Sequence, residues 1–106
     1  MSTENGSLGV DNVLIDLGFE DAAELSAKTV LAIKLNDLIV SQKLTQIEVA
    51  AMTGMTQPKV SQVRRYKLQN ISLERLMNAL VCLGQQIDIT VRPSRRGSEA
   101  GIKVRA

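Results

Sequence analysis

The sequence contains no histidine, no tryptophan, one cysteine, one tyrosine and one phenylalanine. Without histidine, and with a single cysteine, the chain cannot form a zinc site of the usual Cys/His kind or a catalytic pair that depends on histidine. One cysteine cannot form an internal disulfide, which favours a reducing cytoplasm. No run approaches about 18 consecutive apolar residues, and the N-terminus lacks the features of a signal peptide. We therefore expect a cytoplasmic protein with no membrane contact, metal, cofactor or enzymatic activity.

The length of 106 residues suits one domain, because a second one would need more chain for its own core. Residues 1–10 are small and polar and predict a disordered arm. Residues 94–106 are basic and predict a flexible tail. The single folded domain is therefore expected at residues 11–93.

The net charge of +2 conceals two parts of opposite sign. Residues 1–42 contain seven acidic and two basic residues, a net charge of −5, whereas residues 43–106 contain eleven basic and four acidic residues, a net charge of +7. The basic part favours a polyanion as partner, and the acidic part would be repelled by it. The alternative explanation is that both parts are ordinary solvated surfaces.

A long helix is predicted from Asp21 to about Gln42, because Asp21 and Glu24 form a variant of the capping box. Its apolar residues fall on two sides. The first stripe has the spacing of a core face and consists of Leu31, Leu35, Leu38 and Ile39; the second consists of Val30, Ile33 and Val40. The second stripe needs the N-terminal segment or another chain to cover it, unless its members are isolated surface residues.

Two short helices are predicted next. Thr45 and Glu48 form a capping box at the start of the second helix, which should end before Gly54, since glycine readily adopts the left-handed conformation that terminates helices. Thr56 then caps a third helix that runs from Gln57 to about Arg65.

Ser72 caps a fourth predicted helix, which ends at Gly84. Its core face consists of Leu73, Leu76, Met77, Leu80 and Leu83. Cys82 lies among apolar neighbours on this helix, so we expect a buried structural thiol rather than a redox sensor.

A short C-terminal β-strand is predicted after this helix. Ile87, Ile89 and Val91 alternate with polar residues, the period of a half-buried strand. Because an isolated strand is not stable, it must pair with residues 13–17 of the same chain or with the equivalent strand of a second chain.

The second and third helices, joined by about three residues with a glycine in the turn, have the spacing of a helix-turn-helix unit, which presents its second helix to the major groove of DNA. Residues 44–84 resemble the Xre family of helix-turn-helix regulators, related to phage repressors. The matching positions are Thr45, Gln46, Ala50, Gly54, Thr56, Gln57, Val60, Ser61, Ser72, Leu73 and Leu76. Thr53 departs from the pattern, because an apolar residue would pack better there. The layout of residues 11–93 also looks like the HigA-type antitoxin subgroup.

The resemblance implies a mainly α, phage-repressor-like bundle of four to five helices with a short C-terminal strand. It also implies a homodimer that represses transcription at a double-stranded DNA operator. The alternative function is an antitoxin that neutralises a small, basic, RNA-cleaving toxin and represses its own operon. The acidic residues 1–42 favour that alternative, because many such toxins are basic.

The residue types of the third helix also favour contacts with DNA bases. With Val60 and Val63 directed inward, its outer face carries side chains that can form two-point or single contacts with base edges. These predicted base-reading residues are Gln57, Lys59, Ser61, Gln62 and Arg65. Residues at helix ends and flanks are expected to hold phosphates. They are Lys43, Thr45, Gln46, Arg64 and Lys67.

Overall fold

The computed structural model describes residues 22–94 and 101–106. This part of the chain contains four helices, α1 (Ala22–Ser41), α2 (Gln46–Thr53), α3 (Gln57–Arg64) and α4 (Leu73–Cys82). The mainly helical architecture is confirmed. Asp21, with its proposed capping role, and residues 13–17 lie outside the described residues. No helix among the described residues is long and apolar enough to cross a membrane.

Local hydrogen bonds explain where the short helices begin. The hydroxyl of Thr45 accepts a hydrogen bond from the Glu48 N–H at 3.1 Å, and the Thr45 N–H donates to Glu48 Oε1 at 2.8 Å. This reciprocal pair satisfies two of the amides that a helix start leaves without partners. The side chains of Thr56 and Ser72 accept in the same way from the N–H three residues later, at the starts of α3 and α4.

The core lies between α1, the helix-turn-helix unit and α4. Leu31, Leu35 and Ile39 of the first α1 stripe are buried in it, as predicted, and Leu38 packs at its edge. The other buried apolar residues of this cluster are Ala32, Val49, Met55, Val60, Val63, Leu68, Ile71, Leu76, Ala79, Leu80 and Leu83. Every helix thus contributes to a single core, and α1 is the support on which α3 and α4 both pack.

The second stripe of α1 is only partly covered among the described residues. Val30 is half-buried and lines a groove together with residues 101–105. Ile33 and Val40 are 46% and 63% exposed. Val104, in the C-terminal segment, packs against the core cluster. Residues 101–106 therefore lie beside the first half of α1.

The C-terminal strand is not confirmed. Residues 85–94 form no strand within the described part of the chain. Ile87 packs at the edge of the core, but Ile89 and Val91 are 73% and 91% exposed. A strand requires a neighbour that pairs with its backbone, and the described residues supply none.

The prediction that Cys82 is buried is wrong, because its thiol belongs to an exposed residue. The buried face of α4 is formed by Leu76, Ala79 and Leu80. At about 100° per residue, Cys82 points away from that face. Apolar neighbours in the sequence were misleading here, since Val81 beside it is exposed as well.

Candidate nucleic-acid interface

The turn between α2 and α3 sets the angle of the helix-turn-helix unit. Gly54 has a φ of 77°, the left-handed conformation expected from the sequence. Thr53 is buried, and its hydroxyl donates to the Val49 carbonyl at 2.7 Å and accepts from the Met55 N–H at 3.3 Å. A hydroxyl thus joins the end of α2 to the turn. Thr53 is compatible with the fold because both of its polar roles are satisfied.

The orientation of α3 follows from Val60 and Val63, which are both 1% exposed. Their predicted inward direction is confirmed. Gln57 and Arg65, at the two ends of the helix, are exposed, and Ser61 and Gln62 between them are half-buried. One polar surface therefore runs along α3 opposite its two valines.

Lys59 lies at the flank of this surface. Its Nζ donates to the backbone carbonyl of Asn70 at 2.7 Å. Asn70 belongs to the loop that joins α3 to α4. The ammonium group of Lys59 thus binds that loop, whereas the side chains of Gln57 and Arg65 make no hydrogen bond to another described residue.

Arg64 points towards α1 rather than outward. It donates to Oδ1 of Asn36 at 2.8 Å, and Nδ2 of the same asparagine donates to the Val63 carbonyl at 3.0 Å. Asn36 is 6% exposed. One buried amide therefore holds both the backbone and the side chain of the last turn of α3. Because asparagine is neutral, this hydrogen bond does not neutralise the positive charge of Arg64.

Four of the predicted phosphate-binding residues, Lys43, Thr45, Gln46 and Lys67, are exposed near helix ends. Lys43 and Gln46 flank the start of α2, where free backbone amides attract anions. Thr45 lies between them, but its hydroxyl already accepts the capping hydrogen bond. The five residues of the phosphate set are therefore not equivalent. Thr45 is engaged in the capping hydrogen bond and Arg64 contacts Asn36, whereas the side chains of Lys43, Gln46 and Lys67 make no such contact among the described residues.

Two residues with positive φ border the helix-turn-helix unit: Lys43, with φ 56°, and Tyr66, with φ 60°. After α3, the Tyr66 N–H donates to the Val63 carbonyl at 3.0 Å and the Lys67 N–H donates to the Gln62 carbonyl at 2.8 Å. This pair of bonds ends a helix in the way that usually employs glycine at the left-handed position. A side chain there costs about 1 kcal/mol, so the chain reversals that present Lys43 and Lys67 are strained.

Two polar residues that support the interface were missed by the sequence reasoning. They are Asn36 and Lys28, both on α1. Lys28 is 2% exposed, and its Nζ donates to the Leu68 carbonyl at 3.3 Å and lies 3.6 Å from Glu24 Oε2. The available signal was their position within the buried stripe of α1, where a polar side chain needs a hydrogen-bond partner.

Comparisons with known proteins agree with this geometry. A family model described as "Helix-turn-helix domain" matches residues 13–92. A protein of Mycobacterium tuberculosis named as antitoxin HigA2 is 35% identical over 63 residues, which cover 59% of this chain and 62% of that protein. The match thus spans less than two thirds of that curated relative. A solved structure described as an XRE family transcriptional regulator is similar with a TM-score of 0.72 and 43% identity, covering 82% of this chain and 99% of the other.

Proposed function

The chain belongs to the helix-turn-helix family of Xre-type regulators, and on this premise we propose that it is a sequence-specific repressor that binds double-stranded DNA. The observation that supports this most directly is the polar surface of α3. A short turn with Gly54 joins this helix to α2. A helix presented in this way fits the major groove. The proposed site of action is the cytoplasm, and the proposal includes no enzymatic reaction and no cofactor.

In this proposal the residues along the polar surface of α3 read base edges. Glutamine can pair with adenine through two hydrogen bonds, arginine can do the same with guanine, and serine can contact either a base or a phosphate. Gln62 Oε1 is buried without a hydrogen bond among the described residues, so this side chain would gain a partner by turning outward to a base edge. Lys59 also belongs to the proposed reading set, but it must first release the Asn70 carbonyl.

The phosphate backbone is held by residues at the helix ends in this proposal. Lys43, Gln46 and Lys67 reach outward from the two strained reversals and from the start of α2. Arg64 is a positioned charge at the end of α3, and Thr45 supports the start of α2. Such contacts add affinity that is independent of sequence and that weakens with salt.

The test is a titration of the full chain against two duplexes, one from the region upstream of its own gene and one with the same bases scrambled. Fluorescence anisotropy at several salt concentrations would give both affinities. Repression predicts tighter binding to the upstream duplex, with affinities that fall as salt rises. Absence of duplex binding by the wild-type chain at low salt would contradict the proposal.

We propose a homodimer as the active form. A single helix-turn-helix reads only a few base pairs, whereas two related by a two-fold axis reach half-sites about 34 Å apart on one face of the duplex. Cyclic two-fold dimers are also the most common assembly of soluble proteins.

The second candidate function is that of an antitoxin. It is favoured by the similarity to the M. tuberculosis antitoxin and by the opposite charges of residues 1–42 and 43–106. Binding of a basic toxin by the acidic part would leave the basic part to the operator. Co-expression with the product of a neighbouring small gene, followed by size exclusion, tests this function, and a Glu20→Lys variant should weaken any complex. Loss of operator affinity with an unchanged protein complex would contradict the assignment of the acidic part to a protein.

A further inference from the structure

We infer that residues 86–92 join two copies of this chain as an antiparallel two-stranded ribbon centred on Thr90. The inference rests on the proposed homodimer and specifies where and in which register its chains meet. It starts from the segment that follows α4. Among the described large apolar residues, Ile89 and Val91 of this segment have the highest exposed fractions.

The sequence pattern of this segment is that of a strand, although it has no strand partner among the described residues. Ile89 and Val91, which are exposed in the single chain, point to the same side of an extended backbone as Ile87. Their apolar surface and the backbone amide and carbonyl groups both gain from a second strand.

The charges make the segment complementary to itself. In an antiparallel pair centred on Thr90, Asp88 lies opposite Arg92 of the second copy, and the two-fold axis repeats that contact. In the same register Ile89 lies opposite Val91 of the second copy. Both exposed apolar residues and both charged residues of each chain are then paired across the axis.

The neighbouring register, centred on Ile89, is less favourable. It places Val91 opposite Ile87, which already packs at the edge of its own core. It also separates Asp88 from Arg92 of the second copy. Beyond Arg92, Pro93 has no N–H to donate, so the ribbon ends there. Among the described residues, 101–106 lie beside α1 and do not cover this segment. The self-complementary charges of Asp88 and Arg92 favour a second copy as the strand partner.

The first test exchanges the charges in the full chain and measures the dimer dissociation constant by sedimentation equilibrium. Asp88→Arg or Arg92→Asp alone places like charges opposite each other twice, and each should weaken the dimer by roughly tenfold or more. The double variant restores opposite charges and should recover to within about threefold. Single variants that dimerise like the wild type, or a double variant that remains as weak as the single ones, would overturn the inference.

The second test uses cysteines in a Cys82→Ser background under mild oxidation. Directly opposed Cβ atoms lie about 4.5–5.5 Å apart and diagonal ones about 7–8 Å, and a disulfide needs about 3.5–4.5 Å. Thr90→Cys should therefore form a disulfide-linked dimer readily, whereas Ile89→Cys, the matched control, should form it poorly. A faster link through position 89, or equal or absent links at both positions, would refute the register.

These outcomes are separate from those of the proposed function. A dimer linked through Thr90→Cys in a protein that binds no duplex would support the ribbon and contradict the repressor. Duplex binding by a protein whose dimer is insensitive to both single charge variants would support the repressor and contradict the ribbon.

Discussion

The two segments that follow α3 and α4 differ in how many of their backbone groups and apolar side chains are held by contacts within the chain. After α3, the carbonyls of Leu68 and Asn70 accept hydrogen bonds from Lys28 and Lys59, and Ile71 is buried. After α4, the described residues from 86 to 94 form no strand and expose two of their three apolar side chains. The first segment, the loop after α3, is thus held by contacts within the single chain. The second has no strand partner among the described residues.

The largest effect that would distinguish the two segments is on core packing. Ile71→Ala should lower the free energy of unfolding by about 2–5 kcal/mol, because it leaves a cavity in the core. Ile89→Ala should change it by less than about 0.5 kcal/mol at concentrations where the chain is monomeric. Urea unfolding at two protein concentrations measures both. Equal losses for the two variants in dilute solution would contradict the comparison.

A second variant removes the side chain that connects α1 to the end of α3. Asn36→Leu removes one of the two hydrogen bonds that the Val63 carbonyl accepts and also removes the Oδ1 that accepts from the Arg64 guanidinium, which should cost about 1–3 kcal/mol of stability. The neighbouring Asp37 is exposed, so Asp37→Leu is the matched control, with an expected change below about 0.5 kcal/mol. Thermal unfolding measures the difference. A stable Asn36→Leu protein would show that packing alone holds α3.

A third set of variants separates the outward face of α3 from the residues at its end. Gln57→Ala or Gln62→Ala should cost about 1–3 kcal/mol on the cognate duplex and relax the base preference locally. Lys67→Ala should weaken binding to all sequences alike and lower the salt dependence by about one unit, whereas Arg75→Ala, outside both proposed sets, is the control. Anisotropy titrations on cognate and scrambled duplexes give these values. Equal losses on both duplexes for the glutamine variants would refute the reading face.

The smallest expected effect concerns the strained reversal after α3. Tyr66→Gly should raise the free energy of unfolding by up to about 1 kcal/mol, because glycine adopts a φ of this sign without strain. Tyr66→Ala removes the same aromatic ring but keeps the strained Cβ and should show no such gain. Chemical denaturation of the two variants side by side isolates the backbone effect. A glycine variant no more stable than the alanine variant would mean that the reversal is not strained.

The features predicted correctly from the sequence are local ones. The starts of α2, α3 and α4 depend on Thr45, Thr56 and Ser72, whose partners lie three residues away. The turn depends on Gly54, whose conformational freedom is intrinsic. The inward direction of Val60 and Val63 follows from helical periodicity alone.

The features that were missed depend on contacts between distant parts of the chain. Asn36 meets Val63 and Arg64 27 and 28 positions later, and Lys28 meets Leu68 40 positions later. No local rule pairs such residues, because the pairing follows from the way α1 crosses the rest of the bundle. The error at Cys82 is of another kind, because the core face predicted for α4 was correct and helical periodicity alone turns Cys82 away from it.

Tyr66 has an experimental consequence that follows from composition and position together. It is the chain's one tyrosine, and there is no tryptophan, so its phenol is the sole side chain that fluoresces usefully in the near ultraviolet. It is 47% exposed and lies between Arg65 and Lys67, just past the last turn of α3. Emission from the unmodified protein is therefore a single-site optical signal from this end of the helix, and a duplex bound there changes the surroundings of that one ring.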